Sequence, residues 1–254
     1  MHAAPGTHRS SEPSPLRSNL GRDDVSAMFD RIAHRYDFLN TLLSAGTDHR
    51  WRRAAIARLA SERPKAILDV AAGTGDMILE CLRLKPLRVA GVDPSGSMLE
   101  VAREKLASRS RSLPVELVKA SAEHIPFPAG TFDAVTCAFG VRNFTQLEDG
   151  LAEFFRVLRP GGTALILEFS RPSGIPAERL YRLYFTRILP FVGGLVSGDR
   201  RAYQYLPDTV DAFPSGTEFL GYLREAGFTD LHAEPLSYGI ATIYTGTKPE
   251  AVWR

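Results

Sequence analysis

Cysteine is nearly absent from this chain, which has two cysteines in 254 residues. Cys81 falls in the apolar stripe of a predicted helix and Cys137 in a predicted strand. We therefore expect two buried free thiols in a reducing compartment, rather than a disulfide or a metal-binding pair. The sequence also lacks a clustered pattern of metal-ligating residues, so we expect no bound metal.

Long apolar runs and a strong charge of one sign are also missing. No stretch approaches the ~20 apolar residues of a membrane-spanning helix. The net charge is +2, which is too small to indicate nucleic-acid binding by itself. Residues 1–22 contain no apolar signal-peptide core, and their prolines disfavour the amphipathic helix of a mitochondrial transit peptide. We expect a disordered tail and a cytoplasmic protein.

What the chain does contain is an alternation of short apolar strands and amphipathic helices. Its 44% hydrophobic fraction supports a sizeable core, and we expect one domain over residues 23–254. The alternation predicts an α/β fold with a doubly wound, mostly parallel sheet. The predicted strands are Ala66–Val70, Arg88–Val92, Val115–Lys119, Ala134–Ala138 and Thr163–Glu168. The predicted helices include Met77–Leu82, Ser97–Ser108 and Glu148–Leu158.

Further elements flank this alternation. N-terminal helices are predicted within residues 23–60, including Trp51–Leu59, and a turn at Arg159–Gly162 precedes the fifth strand. A C-terminal antiparallel hairpin is predicted from Thr229–Pro235 and Gly239–Gly246. Residues 171–214 are predicted to form a largely helical insertion, which is long for a plain connection. It fits a core-packing helix pair or a homodimer face, and it also fits an apolar lid.

The segment Ile67–Asp76 is the most informative stretch of the sequence. A buried strand runs into a turn whose glycines let the backbone approach a ligand closely, and a helix begins near Asp76. By itself such a loop fits a nucleotide site or an ordinary tight turn. A dinucleotide fingerprint needs a third glycine where this chain has Ile78. The candidate cofactor-binding residues of the loop are Asp69, Gly73, Thr74 and Gly75.

The acidic residues of this loop indicate the charge of its ligand. Asp69 and Asp76 flank the glycines and would repel a pyrophosphate. They suit a cation, and S-adenosylmethionine carries a sulfonium and an α-ammonium group. The loop therefore favours S-adenosylmethionine over a dinucleotide.

Four residues at or after the ends of the next two strands complete a candidate adenosine site. Asp93 ends the second strand, where a carboxylate can accept hydrogen bonds from both ribose hydroxyls; the alternative is a cap for the helix that follows. Met98 on that helix would lie against the adenine. Ser121 through its side chain and Ala122 through its backbone N–H would bind the adenine edge, although taken alone they are only a loop.

Four elements in this order resemble class I S-adenosylmethionine-dependent methyltransferases. They are the glycine loop, Asp93, the stretch Ser121–Cys137 and the turn Arg159–Gly162. The resemblance implies a Rossmann-like sheet and S-adenosylmethionine as the methyl donor. Four further segments narrow it, because they resemble signatures of the UbiE/Coq5 quinone C-methyltransferases: Phe29–Asn40, Phe139–Asn143, Leu167–Ser170 and Tyr203–Leu206.

This resemblance implies an enzyme that methylates a ring carbon of a prenylated quinol in menaquinone or ubiquinone synthesis, with demethylmenaquinol as the favoured acceptor. It implies that Arg142 and Asn143 lie at the quinol together with Tyr36. In this reading Arg142 binds the developing phenolate, Asn143 orients the ring oxygen and Tyr36 positions Arg142. The alternative for Arg142 is that it pairs with a neighbouring carboxylate. Rival bases are His34, His49 and His124.

The acceptor and the insertion leave alternatives open. The chain fits a methyltransferase of another small lipophilic molecule, or a non-catalytic S-adenosylmethionine-binding subunit of a quinone-synthesis complex. The insertion fits a tunnel or lid for the polyprenyl tail, with arginines that face anionic headgroups at the inner membrane surface. That association would be peripheral.

Overall fold

The apolar runs of the sequence assemble into a single seven-stranded sheet in the computed structural model, which describes residues 30, 46–109, 114–171 and 209–250. Its strands, numbered in chain order, are β1 (Ala66–Val70), β2 (Arg88–Asp93), β3 (Val115–Lys119), β4 (Phe132–Ala138), β5 (Leu158–Phe169), β6 (Thr229–Leu236) and β7 (Ala241–Thr247). They lie in the order β3-β2-β1-β4-β5-β7-β6. Neighbours among β1 to β5 pair in parallel, whereas β7 pairs antiparallel with both β5 and β6.

Helices cover both faces of the sheet. The α-helices that lie wholly within the described ranges are α1 (Thr47–Ala57), α2 (Asp76–Cys81), α3 (Gly96–Arg109), α4 (Leu147–Val157) and α5 (Thr217–Glu225). One face packs against α1, α2 and α3, through side chains such as Ile56, Met77 and Ala102. The other face packs against α4 and α5, through Leu151, Phe154 and Phe219. The prediction of a doubly wound α/β sheet with a C-terminal antiparallel hairpin is confirmed, because crossover helices lie on both faces.

Several bounds differ from those that the sequence predicts. The fifth strand begins at Leu158 rather than Thr163, because Leu158 pairs with Phe132 before the register shifts. The expected turn at Arg159–Gly162 therefore lies inside β5, where Gly161 is left-handed. Helix α1 begins at Thr47, four residues before the predicted start, directly after the left-handed Gly46.

Some expectations fall on residues outside the described ranges. The tail 1–22 does so entirely. Of the insertion, only Arg171 and residues 209–214 are described. Its interpretation as a lid, a dimer face or a membrane-docking surface thus stays a prediction. Within the described ranges, no helix has the length and apolar character needed to cross a membrane.

Candidate active site at the carboxyl edge of the sheet

The loop between β1 and α2 turns through three left-handed residues. Ala71, Gly73 and Gly75 have φ angles of 56°, 52° and 85°. A side chain at Gly73 would meet no atom within 4 Å, whereas one at Gly75 would contact Ala102 at 3.4 Å. The backbone therefore faces open space at Gly73 and packs on α3 at Gly75. This arrangement fits a loop that lets a ligand approach the main chain.

Ala71 has a left-handed backbone conformation that the sequence did not predict. It is also the residue at which the loop after β1 contacts the loop after β4. A β-carbon added to Gly140 would lie 2.4 Å from the Ala71 Cβ and 3.1 Å from the Cys137 Sγ. Glycine at position 140 thus allows the loop after β4 to lie against the loop after β1. The sequence does show a small residue at positions 71 and 140. Their contact could be inferred only after the structure placed β1 beside β4.

Asp69 lies beneath the glycine loop as a buried carboxylate with one satisfied oxygen. Its Oδ1 accepts a hydrogen bond from Thr136 Oγ1 at 2.7 Å. Its Oδ2 is buried and has no hydrogen-bond partner among the described residues. Burial raises the pKa of Asp69 to about 7, although Thr136 and the charge of Arg52 oppose that shift. A buried acceptor of this kind fits a cationic ligand group.

Asp76 has a charged partner within the protein, and the expectation that it also faces a cationic ligand stays a prediction. Lys105 Nζ lies 2.7 Å from Asp76 Oδ1 and donates to Thr74 Oγ1 at 3.1 Å. The charge of Asp76 is therefore balanced by α3. This contact was not readable from the sequence, because positions 76 and 105 meet only when α2 and α3 pack together.

Asp93 connects the glycine loop to the end of β2. Its Oδ2 accepts from Gly73 N and its Oδ1 from Ser95 N, both at 2.8 Å. Burial raises the pKa of Asp93 to about 6. The N-terminal turn of α3 is bonded by Ser95, whose Oγ accepts from Met98 N at 3.1 Å. The structure thus uses Ser95 as the side chain that bonds this turn, and the ribose-binding role of Asp93 stays a prediction.

The predicted adenine-binding residues lie at the same edge. Met98 is buried, and Ala122 is buried beside the half-buried Ser121. Ala120 N donates to the Asp93 main-chain oxygen at 3.2 Å, which draws the loop after β3 towards the end of β2. The structure therefore brings the adenosine candidates to one end of neighbouring strands.

Arg142 follows β4 and forms a buried ion pair with Glu168 at the end of β5. Its Nη1 lies 2.7 Å from Glu168 Oε1 and donates to the Phe139 main-chain oxygen at 2.6 Å. Glu168 Oε1 also accepts from Phe169 N at 2.7 Å, and Oε2 accepts from Arg142 N at 3.3 Å. The side chains are 6% and 0% exposed. The alternative that Arg142 pairs with a neighbouring carboxylate is therefore present in the structure.

Glu168 is the site residue that sequence reasoning missed. The segment Leu167–Ser170 was noted only as part of a family signature, and no role followed from it. Burial raises the pKa of Glu168 while the charge of Arg142 lowers it. The half-buried Asn143 donates its backbone N–H to Gly140 O at 3.0 Å. Tyr36 and His34 lie outside the described residues, and His49 and His124 are exposed.

An aromatic cluster separates the ion pair from helix α1. The ring centroids of Phe139 and Phe169 are 4.5 Å apart, and Trp51 lies 6.2 Å from each of them. Arg142 lies over the Phe169 ring at 5.4 Å, and Arg52 over the Phe139 ring at 5.3 Å. An apolar, aromatic surface with an adjacent guanidinium suits a flat ring that bears oxygen substituents.

The two cysteines lie within the described ranges, where the arrangement of possible metal ligands is also seen. Cys81 and Cys137 are buried and free, as predicted. Burial raises the pKa of both thiols well above the ordinary value. The described residues contain no group of three or more His, Cys, Asp or Glu side chains that could hold a metal ion.

Comparison with known proteins identifies close sequence relatives. The profile of the ubiE/COQ5 methyltransferase family matches residues 17–248. A ubiquinone/menaquinone biosynthesis C-methyltransferase UbiE of Geobacter sulfurreducens is 49% identical over 88% of this chain and 88% of its own length. A demethylmenaquinone methyltransferase of Thermus thermophilus is 47% identical over 87% of this chain and all of its own length.

Solved structures with low sequence identity share the fold. A SAM-dependent methyltransferase of Thermotoga maritima, described as a possible histamine N-methyltransferase, superposes with a TM-score of 0.59 at 21% identity, over 87% of this chain and 99% of its own. The cyclase SpnF superposes with a TM-score of 0.62 at 19% identity, over 95% and 100% of the two chains. The predicted Rossmann-like methyltransferase fold is confirmed.

Proposed function

The chain belongs to the ubiE/COQ5 methyltransferase family, and we propose that it transfers a methyl group from S-adenosylmethionine to a ring carbon of a prenylated quinol, with demethylmenaquinol as the favoured acceptor. It is an S-adenosylmethionine-dependent C-methyltransferase of quinone biosynthesis. The ubiquinone-pathway quinol is a second acceptor in this proposal, because relatives named for both pathways match this chain at similar identity.

One observation carries the proposal at the level of structure: the close packing of Ala71 against Gly140. It brings the glycine loop, where the donor would bind, into contact with the loop that carries Arg142. A methyl transfer needs donor and acceptor in line and in contact, and such orientation is a large part of catalysis. Two adjacent loops at the carboxyl edge of a parallel sheet supply that proximity.

The residues present fit the donor. Asp69 offers a buried carboxylate oxygen to a cation, and the open space beside Gly73 admits a ligand against the backbone. Asp93 would bind the ribose, and Met98, Ser121 and Ala122 would surround the adenine. When bound, S-adenosylmethionine supplies an electrophilic methyl group. The buried acids make a polyanionic pyrophosphate ligand unfavourable here.

On the acceptor side, Arg142 would stabilise the negative charge that develops on a quinol oxygen. Loss of the hydroxyl proton to water gives a phenolate, which donates electron density to the adjacent ring carbon and makes that carbon nucleophilic. After the methyl group is transferred, the ring hydrogen of that carbon leaves as a proton to water. The arginine guanidinium stays protonated near neutral pH and does not act as a base there. Arg142 thus would stabilise the anion electrostatically, beside the aromatic rings of Phe139 and Phe169. Asn143 would orient the ring oxygen, and Tyr36 would position Arg142.

Glu168 would act as a positioning residue for Arg142. It holds Nη1 on one side and the backbone N–H of Arg142 on the other, so the guanidinium and its loop are set by one carboxylate. We expect Glu168→Gln to lower kcat while the KM for S-adenosylmethionine stays within about twofold, because Asp69 and Asp93 are untouched. Steady-state kinetics with each substrate varied would separate this effect from a general loss of folding, which would also weaken donor binding.

The polyprenyl tail and the membrane belong to this proposal through residues 171–214, whose apolar side chains alternate with arginines in the sequence. Binding to vesicles that contain anionic lipid would test it. We expect Phe185→Glu or Phe191→Glu to reduce vesicle binding. Unchanged binding of both variants would contradict membrane docking and leave a core-packing helix pair or a homodimer face as the interpretation.

Product analysis tests the acceptor directly. Methyl-labelled S-adenosylmethionine is incubated with demethylmenaquinol, or with a benzoquinol that lacks the ring methyl, and the methylated product is identified. Oxidised demethylmenaquinone is the matched control, since it has no hydroxyl group to form a phenolate, and we expect no product from it. Failure with both quinols would reject the proposal and favour another lipophilic acceptor or a non-catalytic subunit.

A further inference from the structure

We propose that Arg52 of helix α1 forms the subsite for the α-carboxylate of S-adenosylmethionine, opposite Asp69, which receives the α-ammonium. This assignment rests on the methyl donor of the proposed function and is independent of the quinol. It adds a cationic residue to the two carboxylates of the donor site, on a helix that none of the donor-site motifs includes.

Arg52 is buried to an extent that is unusual for an arginine. Its side chain is 7% exposed, on the face of α1 that also buries Trp51. Its Nη1 lies 2.5 Å from Asp48 Oδ2, one helical turn earlier, and its guanidinium lies 5.3 Å from the Phe139 ring centroid. Its Nε is buried and has no hydrogen-bond partner among the described residues. A buried guanidinium with an unmatched donor is costly unless a ligand completes it.

Arg52 lies close enough to Asp69 for their charges to interact. The charge of Arg52 lowers the pKa of Asp69 against the effect of burial. Arg52 lies over the ring of Phe139, which directly precedes the glycine that packs on Ala71. Arg52 therefore contacts the loop after β4 at the point where that loop meets the glycine loop. The loop region therefore holds a buried cation and a buried anion, and each has one unmatched polar atom.

This pair of unmatched atoms identifies the class of ligand. A simple carboxylate would satisfy Arg52 and leave Asp69 unmatched, and an amine would do the reverse. A nucleoside without an amino-acid portion would satisfy neither residue. A ligand that carries an ammonium and a carboxylate on one carbon satisfies both, directly or through one ordered water. The methionine portion of S-adenosylmethionine is such an α-amino acid.

Calorimetric titration with two ligands that differ only in the carboxylate tests the assignment. The purified full chain is titrated with S-adenosylmethionine and with decarboxylated S-adenosylmethionine. We expect Arg52→Gln to weaken binding of S-adenosylmethionine about 10- to 100-fold, the range for loss of a charged hydrogen bond. The same substitution should change binding of the decarboxylated ligand by less than about twofold. Arg52→Lys keeps the positive charge but loses the planar, multi-donor geometry of the guanidinium. We expect its affinity for S-adenosylmethionine to lie between that of the unmodified protein and that of Arg52→Gln.

Arg53 provides a matched control on the same helix. Its side chain is 64% exposed and lies 3.7 Å from Glu80. Arg53→Gln removes the same charge, and we expect both ligands to bind as they do to the unmodified protein. Equal weakening of both ligands by Arg52→Gln and Arg52→Lys would mean that Arg52 only supports the fold, and would overturn the assignment. Undiminished binding of S-adenosylmethionine by Arg52→Gln would overturn it as well.

The outcomes are separable from those of the quinol assay. If Arg52→Gln discriminates between the two ligands and no quinol is methylated, the carboxylate subsite stands and the proposed acceptor fails. If quinols are methylated and Arg52→Gln binds both ligands normally, the acceptor stands and the subsite fails.

Discussion

The donor loop, Asp69–Asp76, and the acceptor loop, Phe139–Asn143, differ in whether the protein itself supplies a partner for the buried charged group. Beneath the donor loop, Asp69 keeps one carboxylate oxygen without a partner among the described residues. In the acceptor loop, the charge of Arg142 is compensated by Glu168 at 2.7 Å. S-Adenosylmethionine brings positive charge to its site, whereas a quinol arrives neutral. The difference suggests that each loop is adjusted to the charge of its own ligand before binding.

The largest expected effect comes from breaking the compensated pair. Arg142→Ala leaves Glu168 buried without its cation, and loss of one partner of a buried pair costs ~3–5 kcal/mol. Chemical denaturation should detect this destabilisation, and turnover should fall by about 10²–10³-fold. The double variant Arg142→Met, Glu168→Gln should recover much of the stability without recovering turnover. A double variant with restored turnover would refute the role of Arg142.

Asp69→Asn should have the opposite effect on stability. Burial raises the folded-state pKa of Asp69 to about 7, above its ordinary value of 3.8. The carboxyl group therefore favours the folded state when protonated, and that contribution is lost as the pH rises from about 4 through 7. Without bound donor, the unfolding free energy of Asp69→Asn should exceed that of the unmodified protein above pH 7, as measured by denaturant titration across pH.

The same substitution should weaken donor binding and flatten its pH dependence. The ionised carboxylate attracts the ammonium group, so affinity for S-adenosylmethionine should rise as the pH approaches 7 and then level off. Asp69→Asn should bind about 10- to 100-fold more weakly at pH 8, and any remaining rise near pH 6 would come from Asp93. Calorimetric titrations at several pH values measure this affinity. An identical pH dependence for both proteins would exclude Asp69 as the residue that binds the ammonium group.

Gly140→Ala tests the contact that joins the two loops. Its new β-carbon would overlap Ala71, and such overpacking costs ~1–3 kcal/mol. Because both loops must move, we expect donor affinity and kcat to fall together, as seen by calorimetry and steady-state kinetics. Gly221→Ala in α5 is the control, since its β-carbon would meet nothing within 4 Å. A loss of kcat with unchanged donor affinity would show that only the acceptor loop responds.

The smallest effect on stability is expected for Gly73→Ala. Its φ of 52° costs an alanine ~1–2 kcal/mol, and the new methyl group would meet no protein atom within 4 Å. Thermal unfolding without ligand should shift only slightly, while binding of S-adenosylmethionine should weaken, because the methyl group would enter the space proposed for the ligand. Donor affinity equal to that of the unmodified protein would locate the ligand elsewhere.

Local sequence patterns were sufficient to predict the helices and strands, but they did not predict which side chains contact one another between these elements. β1 and β3 have the predicted bounds, because short apolar runs between turn signals define buried strands. Asp93 could be located because it ends such a run. Glu168 could not be assigned a role, since its partner lies 26 positions away on a neighbouring strand end. The ion pair of Asp76 with Lys105 could not be predicted either, because Lys105 approaches Asp76 only through the packing of α3 on α2.

The sequence alone determined the strand and helix order, the glycine loop and the family, because these depend on periodicity and on contiguous motifs. Tertiary structure decided which charges are matched. It pairs Arg142 with Glu168 and Asp76 with Lys105, and it leaves Asp69 and Arg52 each with one buried atom that has no partner among the described residues. The physical reason is that the energy of a charge depends on burial and on neighbours within a few ångströms. Those neighbours are set by how distant strands and helices pack, and no local pattern contains that information.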